Sequence, residues 1–326
     1  MKKILIIGGG GYIGTEVIKY FLNKKKKIFC NDNFIYGQKN SVTKFLNNKN
    51  FKLLEFDYRD TNRFKKVLSN CDSIIFLGGM VGDPITKKYK KISRNINYIG
   101  IKNFITLCKT NFDGRFIFVS TCSNYGLSKN MNLLSENATL NPLSIYAKNK
   151  VMIEKYILQL KNIKFIPTIL RFSTAFGLSS ERMRFDLTIN QFVKEAFFKN
   201  KLEIYDGDTY RPYCHVKDFC RIIDKVLSSD KKLVNFEVFN AGDSKNNYNK
   251  TQIVKIISKY LNIENVKFIS SSKDRRNYRV DFKKIKKKLL IQSKYSVDYG
   301  VKEIISYLKK NKNLKPMGNY KIRLKK

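Results

Sequence analysis

The chain has one histidine, His215, and no tryptophan among its 326 residues. A single imidazole leaves no way to build a multi-histidine zinc site or a site that relies on several imidazole bases, and no metal is expected. Six cysteines (Cys30, Cys71, Cys108, Cys122, Cys214 and Cys220) include no CxxC pair, and most fall in strand-like or helix-like stretches. Buried free thiols are the expectation, in place of disulfides. No apolar run is long enough to span a membrane, and the first residues lack the basic, apolar and small-residue order of a secretion signal. A cytoplasmic protein with no membrane attachment is expected. Acidic residues are also scarce: 26 Asp and Glu against 65 Lys and Arg leave a formal charge of +39. Such an excess suits a nucleic-acid binder. Here the lysines run from Lys2 to Lys326 among many asparagines and isoleucines, which reads as compositional bias. Nucleic acid is therefore not expected as a partner; attraction of anionic metabolites is.

What is present begins at the amino end. The run Ile4-Leu-Ile-Ile-Gly-Gly-Gly-Gly-Tyr-Ile-Gly14 passes from apolar strand to helical pattern through Gly8, Gly11 and Gly14. A strand that turns tightly into a helix needs glycine where the chain bends, where backbone nears a pyrophosphate, and where helix meets strand. The helix start then offers free N–H groups to phosphate oxygens. A second strand at 27–31 ends in Asp32, 18 residues past Gly14. A carboxylate there accepts hydrogen bonds from an adenosine ribose and repels a 2′-phosphate, so the site reads as one for NAD rather than NADP.

Apolar strands and helical stretches alternate through the first half, with strands near 2–7, 27–31, 51–55, 72–76, 115–119 and 164–170 and one long helical stretch at 86–110. That alternation implies right-handed crossovers and a parallel sheet covered on both faces. The fold class is α/β, a Rossmann-type doubly wound parallel sheet with a smaller C-terminal α/β substrate lobe. The expected division is an NAD-binding domain over 1–173, a mainly substrate-binding lobe over 174–310 with part of 212–242 returning to the sheet, and a basic tail at 311–326.

Chemistry enters at Tyr146-Ala-Lys-Asn-Lys150, which opens a helix after Asn141-Pro142. A tyrosine and a lysine four apart share one helical face, so the Lys150 ammonium can favour the ionised phenol of Tyr146. The strand Phe116-Ile-Phe-Val-Ser-Thr121 places hydroxyls at the carboxyl end of a central strand, where open α/β sheets bind ligands.

Together these motifs resemble the extended short-chain dehydrogenase/reductase family, the NAD-dependent nucleotide-sugar epimerases and dehydratases, over about residues 2–310. The resemblance implies catalytic roles for Thr121, Tyr146 and Lys150. It implies cofactor contacts at Gly8, Gly11, Tyr12, Ile13, Gly14, Asp32, Asn33, Asp57, Tyr58, Leu77, Gly78, Gly79, Asn97 and Lys150. Leu77-Gly78-Gly79 departs from the family's LAA but keeps room for the cofactor. On the substrate side, Leu170-Arg-Phe-Ser-Thr-Ala-Phe-Gly177 looks like the family's LRxxNxYG segment, with Thr174 in the asparagine position. Arg211, before Pro212, and Arg276 match the two arginines that reach a substrate diphosphate. Arg182, Arg184 and Asn190 lie in a polar helix entry and are further candidate substrate contacts. His215 is expected to be structural.

The activity implied is hydride transfer from a sugar hydroxyl carbon to NAD, with Tyr146 as base and Thr121 holding the same oxygen. An epimerase acting at carbon 4 through a transient keto-sugar ranks first, and a 4-dehydrogenase or ketoreductase second. Dehydration ranks lower, because Cys122 and Ser123 stand where family 4,6-dehydratases carry an acidic pair. A non-catalytic NAD-binding protein with an RNA-binding surface is a distant alternative that leaves Thr121, Tyr146 and Lys150 together unexplained. The expected partners are a nucleotide-diphosphate sugar and, through the helices after Asn97 and at Tyr146, a second copy in a homodimer.

Overall fold

The computed structural model describes residues 2–128, 132–270, 276–312 and 322. Seven short strands form the central sheet: β1 (Lys3–Ile7), β2 (Lys27–Asn31), β3 (Phe51–Leu54), β4 (Ser73–Phe76), β5 (Arg115–Thr121), β6 (Ile166–Phe172) and β7 (Glu237–Ala241). Their order is β7-β6-β5-β4-β1-β2-β3 and every pairing is parallel. Parallel strands are buried on both faces, which is why β1, β4 and β5 read as unbroken apolar runs without polar alternation. The order reverses beside β1, and the crevice at the carboxyl ends of β1 and β4 is where such sheets take ligands.

The named helices are α1 (Tyr12–Asn23), α2 (Ile101–Asn111), α3 (Ile145–Leu158), α4 (Thr188–Lys199), α5 (Val216–Ser228), α6 (Lys250–Ile257) and α7 (Val297–Lys310). One face of the sheet, with Ile4, Ile6, Ile75 and Ile117, buries Val17 and Phe21 of α1 and Phe219 and Ile223 of α5. The opposite face, with Leu5, Ile7, Phe76, Phe116 and Phe118, buries Phe104 of α2 and Ile153 and Ile157 of α3. A third core joins Ile189 and Val193 of α4, Ile253 of α6, and Val301 and Ile304 of α7. Full burial of one such side chain stabilises by roughly 1.5–3 kcal/mol, so each layer is held by many such contributions. No described helix is long and apolar enough to cross a membrane.

One stretch differs from the sequence expectation. The single helix expected at 86–110 is broken into Asp83–Lys88, Lys90–Arg94, a π turn at Asn95–Gly100, and α2. The extra residue of a π turn rotates Asn97 inward, where its amide clasps the backbone of Met80. Within 212–242, β7 pairs with β6 in the central sheet. Tyr210–His215 instead pairs with Thr174–Phe176 and Asn247–Asn249 in a separate three-stranded sheet. Of the tail at 311–326, residues 311, 312 and 322 alone are described.

Candidate active site

A cavity of about 1210 Å³ opens along the carboxyl ends of β1, β4 and β5 and is lined beyond them by Thr174, Arg182, Arg184, Arg211 and Arg276. On its cofactor side lie Gly8, Gly11, Tyr12, Ile13, Gly14, Asp32, Asn33, Asp57, Tyr58, Leu77, Gly78 and Gly79. Gly14 is forced to be glycine, because a Cβ there would sit 2.5 Å from the carbonyl oxygen of Gly8. Gly79 has φ 151°, and a Cβ on it would meet the amide oxygen of Asn97 at 2.8 Å. The Gly78-Gly79 departure from LAA thus follows from this chain's own packing.

Asp32 accepts from the backbone N–H of Gly10 at 2.9 Å and of Phe34 at 2.7 Å, which fixes its carboxylate at the end of β2. Burial pushes its pKa up to about 6, against those two hydrogen bonds and the charge of Arg182. Asn33 donates to Asp57 at 2.8 Å. Burial opposes ionisation of Asp57 as well, but hydrogen bonds from Arg59 and Asn33 hold its carboxyl below the usual range. A glycine-lined helix start facing a fixed ribose acid fits a dinucleotide. Asn97 is a correction: it lies behind the cavity wall, fully buried, with its amide bonded to both backbone groups of Met80 and to Ser93. It shapes the cavity wall from behind.

Thr121, Tyr146 and Lys150 converge on the same cavity. Thr121 ends β5, and its hydroxyl accepts from the N–H of Ser123 at 3.1 Å, which fixes its direction. Ser144 caps the first turn of α3 and so positions Tyr146 beside the strand end. One turn later Lys150, 2% exposed, donates to the carbonyl of Val119 at 2.7 Å, its nitrogen 5.8 Å from the centre of the Tyr146 ring. Burial pushes the Lys150 ammonium down to about 7. Burial and the charge of Asp83 push the Tyr146 phenol up, while Arg184 acts the other way. The expected lowering of the phenol joins the Lys150 ammonium with a positive nicotinamide ring; in the protein itself desolvation is the largest cause acting on each of the two side chains.

Beneath these groups lies a buried network. Glu154, one turn past Lys150, accepts from Ser120 and from Arg171 at 2.8 Å. It ties α3, β5 and β6 together at the point where the catalytic side chains emerge. Cys122 is packed behind this wall with its thiol pKa pushed up by burial, and all six cysteines are free and buried.

On the substrate side the cavity is lined by Thr174, Arg182, Arg184, Arg211 and Arg276. Arg211 donates to the carbonyl of Tyr210 at 2.7 Å and lies 5.3 Å from the ring centre of Tyr278. Arg276 pairs with Asp83 at 2.8 Å across the cavity. Arg184 is held by Asp186 through two hydrogen bonds of 3.0 and 2.5 Å. Arg182 sits toward the ribose acid, because the residues before it dock on the cofactor side: Ser179 bonds Thr15 at 3.0 Å and Glu181 pairs with Lys44. Asn190 is a second correction. It is fully buried off the cavity and spends its amide on Gly177, Arg184 and Tyr12. His215 bonds Glu303 at 3.0 Å and caps α5 through the N–H of Lys217, a structural role.

The sequence reading missed Tyr36, Asp83, Lys250 and Tyr278, all on the cavity. Asp83 carried a signal, since Gly82-Asp83-Pro84 reads as a helix start in the loop after β4. Tyr36 lies in the loop after β2, Lys250 opens α6 and Tyr278 precedes the short strand Arg279–Val280, and none of them carried a signal. Among the described residues no cluster of three or more His, Cys, Asp or Glu could hold a metal.

The model of the NAD dependent epimerase/dehydratase family matches residues 4–242. An uncharacterised UDP-glucose epimerase of Bacillus subtilis is 27% identical across 94% of this chain and 98% of its own length. A UDP-glucuronate 4-epimerase of Thermodesulfobacterium geofontis is 23% identical across 95% of this chain and 97% of its own. Among solved structures, UDP-glucuronic acid 4-epimerase from Bacillus cereus, in complex with UDP-glucuronic acid and NAD, superposes with a TM-score of 0.82 at 24% identity, covering 94% of this chain and 99% of that one. A dTDP-glucose 4,6-dehydratase from Streptomyces venezuelae superposes with a TM-score of 0.83 at 19% identity, covering 95% and 98%. The match across residues 4–242, with a glycine-lined helix start facing the carboxylate of Asp32, places this chain in the NAD dependent epimerase/dehydratase family, whose cofactor is NAD.

Proposed function

We propose that this enzyme is a nucleotide-sugar epimerase acting at carbon 4 through a transient keto-sugar. The observation that carries the reading is the convergence of Thr121, Tyr146 and Lys150 on one cavity wall, opposite the cations Arg211 and Arg276, with Cys122 and Ser123 following Thr121 in place of two acids. Gly8, Gly11, Gly14 and Asp32 would hold NAD, which when bound accepts a hydride from the sugar carbon and returns it. Tyr146 takes the proton of the hydroxyl on that carbon, and Thr121 holds the same oxygen from the strand end. Arg184, and Lys150 together with the positive nicotinamide ring, would supply the potential that favours the phenolate. Arg211 and Arg276 receive the diphosphate with guanidinium forks, leaving the sugar at the Tyr146 end. Elimination of water needs a further acid and base, which residues 122 and 123 do not offer.

The relatives named for UDP-glucose and UDP-glucuronate support a uridine nucleotide. We also propose a homodimer through the Asn95–Asn111 segment and α3, which leave Ile99, Met152 and Leu158 exposed. The test is a panel of UDP-, dTDP- and GDP-linked hexoses, run beside their free sugars and 1-phosphates, with products read by mass spectrometry and chromatography. Turnover confined to nucleotide-linked sugars, with a 4-epimer as product, is the expected result. Faster turnover of a free sugar or its monophosphate refutes the reading.

A further inference from the structure

Asp83 is a carboxylate that meets one of the diphosphate-side cations, Arg276, at close range. It begins the short helix that follows β4, and its Oδ2 lies 2.8 Å from a terminal nitrogen of Arg276. Both partners are held by their own backbones. The loop before Asp83 is fixed by the Asn97 amide on Met80 and by the Tyr36 hydroxyl, which accepts from the N–H of Val81 at 2.8 Å and donates to its carbonyl at 3.2 Å. On the other side Asn277 is tied to Gly126, Ser128 and Tyr210, which fixes the residue next to Arg276. Arg211, Lys250 and Tyr278 line the same part of the cavity. The pair therefore spans the cavity between the sheet and the lobe, with 22% of the Arg276 side chain and 33% of the Asp83 side chain exposed. It is reachable by an incoming anion.

A carboxylate and a phosphate oxygen offer an arginine fork the same acceptor geometry. We propose that Asp83 is a specificity-determining residue that occupies on Arg276 the position of a diphosphate oxygen, so that a ligand must displace it to bind. The inference rests on the nucleotide-sugar reading above. An anion able to engage Arg211 and Arg276 together offsets the lost pair, whereas a single phosphate group reaching one arginine gains little. Asp83 thus favours diphosphate-linked ligands over monophosphates. Its release also leaves a carboxylate near Tyr146, where it can accept from a sugar hydroxyl.

The test is calorimetric titration of the full-length protein with UDP. Asp83→Asn keeps the size and removes the charge, and is expected to bind UDP about three- to tenfold more tightly than the wild type. In an Arg276→Ala background the same change is expected to alter the affinity less than about twofold, because the competition needs both partners. Asp83→Glu, which keeps the charge, is expected to stay close to the wild type and guards against a folding artefact, as does a melting curve for each variant. UDP bound equally or more weakly by Asp83→Asn overturns the inference, since Asp83 would then be holding Arg276 ready for the ligand. Failure of the wild type to bind UDP, dTDP or GDP would instead refute the nucleotide-sugar reading, and this inference with it.

Discussion

Replacing Lys150 with methionine is expected to make the protein more stable at neutral pH while abolishing turnover. Lys150 is 2% exposed, and burial lowers its pKa from the ordinary 10.5 to about 7, opposed in part by Glu154. Between those two values the unfolded chain binds a proton that the folded chain does not, so stability rises with pH across the window from 7 to 10.5. The protonation penalty is about 4 kcal/mol at pH 7 and about 2 kcal/mol at pH 9. Lys150→Met removes this penalty and keeps an apolar stem, but takes one donor from the carbonyl of Val119. That loss costs about 1–3 kcal/mol. The variant should therefore exceed the wild type by about 2 kcal/mol at pH 7 and match it at pH 9. Urea unfolding followed by circular dichroism at both pH values reads this difference, and groups common to both proteins cancel. A stability difference that stays constant from pH 7 to pH 9, or that grows, refutes the reasoning.

Tyr146→Phe removes the proton acceptor and keeps the ring, so steady-state turnover should fall by about two to four orders of magnitude with NAD binding little changed; near-normal turnover would mean another group is the base. Arg211→Ala should cost about 1.5–3 kcal/mol of UDP binding by calorimetry, mostly as a rise in KM, because a charge-assisted contact to the diphosphate is lost. Asp32→Ala should weaken NAD and strengthen NADP, since it removes the ribose acceptor and leaves the charge of Arg182. With the Asp32 pKa raised to about 6, the wild-type preference for NAD should be largest above that pH and shrink as the acid is protonated. Fluorescence titration with the two reduced cofactors at pH 5 and 8 checks both statements.

The sequence was most legible where local chemistry and tertiary position agree. Lys27–Asn31 and Tyr12–Asn23 were readable to the residue, because an apolar strand, a glycine turn and an amphipathic helix each have a local cause. The convergence of Thr121, Tyr146 and Lys150 on one cavity was readable because Tyr146 and Lys150 share one helix and Thr121 ends a buried strand. The errors came from residues whose partners are remote. Nothing in the local pattern reveals that Asn97 faces Met80 across a π turn, or that Asn190 is consumed by Gly177 and Arg184. The strand Tyr210–His215 gave no local sign, because its neighbours Thr174–Phe176 and Asn247–Asn249 are set by long-range packing. Charge was the hardest property to foresee. The Tyr146–Lys150 spacing suggests an activated phenol, but not the depth of burial, whose desolvation raises the phenol and lowers the ammonium in the protein itself.

The central claim, hydride removal and return at carbon 4 of a nucleotide-linked sugar, is tested most directly by following the product in deuterated water while monitoring reduced-nicotinamide absorbance. The account predicts a 4-epimer with no solvent deuterium at carbon 4 and oxidised NAD restored at the end of each cycle. Stalling with bound NADH until a separate keto compound reoxidises it would make the enzyme a dehydrogenase. A 4-keto-6-deoxy product carrying deuterium at carbon 6 would contradict the account outright.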